Sequence, residues 1–336
     1  MNKTTTKPML TMQAWVCQRY GGPEVLALQT RPLPQPGDHE VLIRIHASTV
    51  ASGDVRVRTL KLPRGFGLIG RLALGFTGPR QPVLGTDLAG VVEAVGREVT
   101  SFKPGDAVMG FAGAAMGCHA EYRCLDPRKK PLVLKPAKLG FEQAASLLFG
   151  GMTALHYLRK AELKAGEKIL VIGASGAVGT AFVQLARHLG AEVTGVCSGA
   201  NVDLVRSLGA ARVIDYRNED FTQSAGRFDV IADTVGASNF AACCPVLNEG
   251  GRYLSVAGGL PDLLARPRGS KRSIGGPAAE LPADIQQLAR LAEQGVLQPV
   301  IDRSFAFEEA AAAHAYVETG RKRGAVLLNF DSLTRA

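Results

Sequence analysis

A glycine-rich stretch, GASGAVG at residues 173–179, carries the most specific chemistry in the chain: Gly173, Gly176 and Gly179 recur every third residue, with Ser175, Ala177 and Val178 between them. Glycines at a tight turn let the backbone approach a pyrophosphate closely, and the free N–H groups and positive dipole end of a following helix attract its charge. On its own such a triplet is also an ordinary turn. Its flanks decide between the two. Residues 168–172 are a β-branched and apolar run suited to a strand buried on both faces. Val178, Phe182, Leu185, Ala186 and Leu189 then recur at helical spacing, Gly190 is placed to stop the helix, and residues 192–196 read as a second strand. The pattern predicts a βαβ unit with a dinucleotide on its first turn.

Which dinucleotide follows from the end of the second strand. An NAD-preferring site usually carries an acid about 20 residues beyond the first glycine, bonded to the ribose hydroxyls. Here Cys197, Ser198 and Gly199 stand there, and the nearest acid, Asp203, falls inside the next helix. A carboxylate about 4 Å from a phosphate charge would cost on the order of 4 kcal/mol at an effective dielectric of about 20. Its absence removes the main obstacle to NADP, so NADPH is the expected cofactor.

Other chemistries have weaker support. The six cysteines (Cys17, Cys118, Cys124, Cys197, Cys243, Cys244) include no CxxC pair, which fits small buried hydrophobes better than a disulfide framework or a structural zinc site. The net charge of +9 is spread along the chain except around Arg266, Arg268, Lys271 and Arg272, favouring a solvated, phosphate-attracting surface over a nucleic-acid interface. No stretch of 18 apolar residues and no signal-peptide core is present, so a cytoplasmic chain with no membrane partner is expected.

The elements that must position the glycine-rich turn can be read from punctuation and period. At 336 residues and 46% hydrophobic the chain can bury a large core, and its length favours two domains. Residues 12–17, 26–30, 41–47, 83–95, 106–111, 122–124 and 132–134 read as short strands separated by Gly/Pro turns, predicting a small β-rich barrel. From residue 140 the period changes. Residues 141–164 are mostly helical, and βα alternation through 201–208, 212–214, 228–232, 240–247 and 252–256 predicts an α/β, doubly wound parallel sheet of Rossmann type. Residues 258–282, rich in glycine, proline and arginine, read as a mobile loop. They are followed by a helix at 285–293, a strand at 300–307, a helix at 308–318 and a last strand at 325–330. Residues 56–82, with Phe66, Leu68, Ile69, Leu72, Leu74 and Phe76, read either as a short core helix with flanking loops or as an apolar lid over a substrate cleft.

Several motifs along the chain carry a resemblance: YGGPEVL near the start, LGTDLAGVVEAVG in the middle, GASGAVG, VIDY at 213–216 and GRKRGAVLLNF at the end. Together, over residues 12–330, they resemble the medium-chain dehydrogenase/reductase superfamily and are most similar to its zinc-free quinone oxidoreductase, or zeta-crystallin-like, branch. The resemblance implies a GroES-like catalytic domain from residues 1–138 and 305–336, a Rossmann domain from residues 139–304, and a homodimer. It also implies roles by position. Ser175, Gly176, Ala177 and Val178 match the pyrophosphate turn; Ser198, Asn201 and Tyr216 match positions around the adenosine 2′-phosphate, although the branch often has a lysine where Asn201 stands. Thr153, Val235 and Ala257 match positions near the nicotinamide. Thr153 could equally be a helix-internal hydroxyl bonded to its own backbone, and Tyr216 a packing aromatic.

On the substrate side, Val50, Asp54, Phe66 and Leu68 are the expected cleft residues. Asp54 could instead cap a short helix at 55–60, and the Asn-Pro pair that the branch often places before it is Ala51 and Ser52 here. A catalytic zinc needs three protein ligands around an open position. The zinc-dependent relatives have a Cys in the segment matching 48–54 and Gly-His-Glu where this chain has Gly85, Thr86 and Asp87, so no metal is expected; His46 at a strand end reads as a hydrogen-bonded structural residue, and the adjacent Cys118–His119 pair lacks further ligands at useful spacing. Lacking a Lewis acid, the chain should favour electron-poor acceptors, quinones or activated α,β-unsaturated carbonyls, with the cofactor supplying hydride and the protein supplying position and a dry cleft. No side chain is assigned as proton donor. A 2-enoyl thioester reductase and a non-catalytic NADPH-binding sensor or nucleic-acid-binding protein are the alternatives.

Overall fold

The computed structural model describes residues 10–224 and 226–330; the outer ends of the expected catalytic domain, residues 1–9 and 331–336, lie outside it. The second half of the chain builds a six-stranded, all-parallel sheet in the order Arg212–Asp215, Glu192–Cys197, Lys168–Ile172, Phe228–Asp233, Leu247–Ser255, Arg272–Gly275. The order reverses beside Lys168–Ile172, the position at which doubly wound sheets open a crevice for a dinucleotide. The apolar run of that strand buries both faces. Ile169 and Val171 join one core with Phe182 and Leu185, while Leu170 and Ile172 join a second with Ile231, Phe240 and Tyr253. Each such side chain contributes roughly 1.5–3 kcal/mol of burial, so the alternation fixes the strand between two helical layers.

The first half forms a seven-stranded sheet in the order Ile301–Ala306, Ala325–Asn329, Val41–Thr49, Asp87–Val95, Ala107–Phe111, Leu132–Leu134, with Tyr122–Leu125 also paired to Val41–Thr49, plus the separate hairpin Thr11–Cys17/Leu26–Pro32. The chain therefore returns to its first sheet, entering it at Ile301. Ala47, Ala89, Met109 and Leu327 of this sheet share a core with Leu148, Met152 and Ile169, which packs the two halves together. Among the described residues no helix is long and apolar enough to cross a membrane.

Two expectations need correction. Residues 258–282 are not one loop: they contain the helix Leu260–Leu263 and the edge strand Arg272–Gly275, whose polar composition suits an edge with little buried side-chain area. The apolar stretch at 66–76 is neither core nor lid. Its helix, Gly67–Leu74, turns Gly70 against Leu62 and leaves Leu68, Ile69 and Leu72 more than half exposed.

Candidate functional site

A cleft of about 1590 Å³ runs between the two halves, along the C-terminal ends of the parallel strands. The glycine-rich turn forms its floor. Gly173 ends its strand with φ near 80°, a left-handed conformation in which a side chain would be strained, and a Cβ there would also lie 2.5 Å from Val235 Cγ1. Gly179 packs helix to strand: a Cβ would meet Gly173 O at 2.1 Å. The helix Ala177–His188 begins at Gly176, which has no side chain to cap the helix's first N–H groups. A Cβ on Gly176 would meet only Gly173 O, at 3.5 Å, leaving space on the cleft side. Ser175, Gly176, Ala177 and Val178 all line the cavity. These features fit a dinucleotide's pyrophosphate.

The remaining expected cofactor residues converge on the same cavity. Ser198, Asn201 and Tyr216 line one end, and Thr153, Val235 and Ala257 line the cleft with them. Asn201 Nδ2 donates to Ser175 Oγ at 3.0 Å and to Ser198 Oγ at 3.2 Å, linking the phosphate turn to the end of the second strand. Tyr216 is 57% exposed and open to the cavity, so it is not a packing aromatic. Thr153 satisfies both of its readings: it lines the cleft while its hydroxyl donates to Phe149 O at 2.8 Å. Val235 is set by the buried Asp233, whose carboxylate accepts from the backbone N–H groups of Val235, Gly236, Ala237 and Ser238 at 2.8–3.3 Å. Gly179 does not line the cavity; its part is the close packing just described.

The four expected substrate-cleft residues lie elsewhere. Val50 is buried in the core of the first sheet, its N–H bonded to Val326 O at 2.9 Å. Asp54 is wholly buried and structural: its carboxylate accepts from Ala51 N, at the start of helix Ser52–Thr59, and from Gly85 N at 2.7 and 2.9 Å. Burial pushes its carboxyl upward, opposed by the His119 charge and these N–H groups. Phe66 and Leu68 belong to the outward-facing segment and do not reach the cavity.

In their place Ser52, Arg56, Phe111, Met116, Phe149 and Tyr157 line the cleft. Phe149 and Tyr157 stand one helical turn either side of Thr153, so the i, i+4 spacing contained the signal that finds them. Tyr157 is not an idle hydroxyl. It donates to Gly276 O at 2.5 Å, and burial pushes its phenol up to about 12. From the returning segment Lys322 lines the cavity, its Nζ bonded to Gly324 O at 2.8 Å and its amine pushed down to about 8 by burial, against the pull of Asp302.

The comparisons agree with this geometry. Residues 37–163 match the alcohol dehydrogenase GroES-like domain, and residues 208–328 match the family described as zinc-binding dehydrogenase. The chain is 34% identical over 320 residues to the quinone oxidoreductase of Sus scrofa, covering 88% of this chain and 91% of that one. It is 32% identical over 329 residues to a chloroplastic NADPH-dependent alkenal/one oxidoreductase of Arabidopsis thaliana, covering 94% and 79%. The solved quinone oxidoreductase of Coxiella burnetii superposes with a TM-score of 0.85 at 31% identity, covering 96% of this chain and all of that one. The chain belongs to the medium-chain dehydrogenase/reductase superfamily, in its quinone oxidoreductase branch. It is an oxidoreductase, and its cleft fits a nicotinamide cofactor.

The superfamily includes zinc enzymes, so the donors present here matter. Both carboxylate oxygens of Asp87 are taken by Thr49, through N–H at 2.8 Å and Oγ1 at 2.7 Å, and burial pushes this carboxyl up to about 7. His119 Nε2 lies 3.0 Å from Thr49 O, and the buried Cys118 thiol is pushed far up by desolvation. Among the described residues no three His, Cys, Asp or Glu side chains are grouped to hold a metal ion. The residues present do not fit a zinc centre.

Proposed function

We propose that the chain is an NADPH-dependent, zinc-independent reductase of quinones or α,β-unsaturated carbonyls. The observation that carries this reading is the end of the second strand, where Ser198, Asn201 and Tyr216 face the cleft and the strand end itself, Cys197 to Gly199, carries no acid. Bound NADPH would supply a hydride, which an acceptor able to delocalise the incoming charge takes without a Lewis acid.

The protein's own part is positional. The N–H groups of the helix that begins at Ala177 hold the pyrophosphate. The turn fixed by Asp233 would set Val235 against the nicotinamide, and Phe111, Met116 and Phe149 make that part of the cleft apolar. The Tyr157 hydroxyl is committed to Gly276 O, and no side chain is assigned as proton donor. Overall the acceptor would gain one hydride and one proton.

Oxidation of NADPH and of NADH by metal-analysed protein tests the reading, with an ortho-quinone and a short enone as acceptors. NADPH-preferring turnover without bound zinc is expected. Turnover that requires added zinc, or NADH preferred over NADPH, would overturn it.

A further inference from the structure

A second cavity, of about 830 Å³, adjoins the cleft and shares Arg56, Val235 and Ala257 with it. Its lining carries five cations, Arg56, Lys61, Arg64, Arg266 and Arg268, against a single carboxylate, Asp262. That acid is buried and accepts from Phe240 N at 2.9 Å. Lys61 pairs with Glu318 at 3.3 Å. The guanidinium groups of Arg56, Arg64, Arg266 and Arg268 make no ion pair or hydrogen bond among the described residues. Arg56 is half-buried where the two cavities meet, a costly place for an unmatched charge in the free protein.

The groove is built from both halves of the molecule. Leu260 N donates to Arg64 O at 2.9 Å, and the Gly258–Gly259 turn comes so close that a Cβ on Gly259 would meet Arg64 O at 2.6 Å. The cofactor's phosphates do not account for these cations, because the glycine-rich turn and the Ser198–Asn201 corner do not line this groove. Its volume suits a ligand of a few tens of atoms, and its charge suits phosphate.

We infer that this groove binds the phosphorylated tail of the electron acceptor. The acceptor is then an activated double bond carried as a thioester on 4′-phosphopantetheine, either free as a coenzyme A thioester or attached to a carrier protein. This deepens the proposed reduction of α,β-unsaturated carbonyls and rests on it. The reducible end lies beside Val235 and Ala257, the uncharged pantetheine arm leads away from Arg56 at the junction, and Arg64, Arg266 and Arg268 hold the phosphates further out.

The test compares crotonyl-coenzyme A, crotonyl-phosphopantetheine and the neutral crotonyl-N-acetylcysteamine, with NADPH, in wild type and in the exposed double variant R266A/R268A. The kcat/KM ratio of crotonyl-coenzyme A over crotonyl-N-acetylcysteamine should exceed unity. It should fall at least about fivefold per removed cation, the equivalent of one ion pair in water. If crotonyl-phosphopantetheine matches the coenzyme A thioester, the tail comes from a carrier; if it is much poorer, the nucleotide phosphates are also seated. Equal kcat/KM on charged and neutral thioesters, or a preference that survives the double variant, overturns the groove while leaving the reductase reading intact. If no acceptor is reduced, the reductase reading fails and equilibrium binding of crotonyl-coenzyme A decides the groove: binding weakened in the double variant upholds it, and no binding overturns it. Binding of a single-stranded RNA that crotonyl-coenzyme A cannot displace, lost in the double variant, would also overturn it.

Discussion

The side-chain amide of Asn201 donates to Ser175 Oγ at 3.0 Å, tying the phosphate turn to the corner where the second strand ends. A 2′-phosphate at this corner would find the Ser198 hydroxyl and the Asn201 amide, with Arg217 lining the same end of the cleft and the nearest carboxylate, Asp215, on the next strand beside Gly199. Replacing Ser198 by Asp places a negative charge there, and NADPH affinity should fall by about 10²–10³-fold while NADH affinity rises. Titration of both cofactors by fluorescence reads the switch. An S198D variant that keeps its NADPH preference would place the phosphate elsewhere.

Lys322 gives NADPH binding a pH signature. Its amine is held down to about 8 in the free protein, and a cofactor phosphate nearby would favour the charged form. Binding therefore takes up a proton above pH 8, and NADPH affinity should weaken by up to about tenfold per pH unit there. Lys322→Met should bind more weakly at neutral pH and lose this dependence. Isothermal titration at pH 7 and pH 9 checks both, and a wild type whose affinity is flat across that range rules the contact out.

Asp87 should make itself felt in stability rather than turnover. Its carboxyl is raised from 3.8 to about 7, chiefly by burial, with the nearby Asp54 carboxyl adding to the rise. A raised folded value means that the unfolded chain releases this proton first, so the group's contribution is complete below about pH 4 and is lost as pH climbs to about 7. The slope is about 1 kcal/mol per pH unit. Urea unfolding of wild type and Asp87→Asn at a series of pH values isolates this group. The stability difference should move in favour of the variant across that window and level off above it.

Gly179 tests the packing beneath the turn. With Gly173 O at 2.1 Å from its virtual Cβ, Gly179→Ala must push backbone against backbone. A loss of about 1–3 kcal/mol follows from overpacking, and NADPH binding should fall with it, because the displaced strand end is the floor of the cleft. A variant with wild-type melting temperature would mean that strand and helix can separate without cost.

The residues expected at the cofactor, Gly179 apart, line one cavity, and they were legible in the sequence because they are adjacent in the chain or repeat at a fixed period. Ser175 to Val178 form one turn, and Ser198, Asn201, Val235 and Ala257 each follow a strand that its own apolar run announces. The acceptor half was not. Arg56 and Phe111 reach the cleft through the packing of the two halves, which no local pattern reports, and Tyr157 was readable only as a helical turn from Thr153. Asp54 misled for a related reason: a carboxylate before a short helix looks available, yet Gly85, 31 residues away, consumes its second oxygen. Leu68 misled through composition, since an apolar run says what prefers burial and not which wall it meets. The edge strand Arg272–Gly275 was hidden by arginines that a half-exposed strand tolerates.

Gly324 N donates to Ser175 O at 2.8 Å, and Gly176 and Gly324 form a parallel bridge. The last strand of one domain is thereby sewn, backbone to backbone, onto the phosphate turn of the other. Any rocking of the domains that preserves this stitch pivots there, so the far mouth of the cleft gapes while the pyrophosphate end stays shut. Small acceptors could then enter and products leave in each cycle without the dinucleotide being released. Hydrogen exchange at the Gly324 amide, slow if the pivot holds and fast if it does not, would show which end opens.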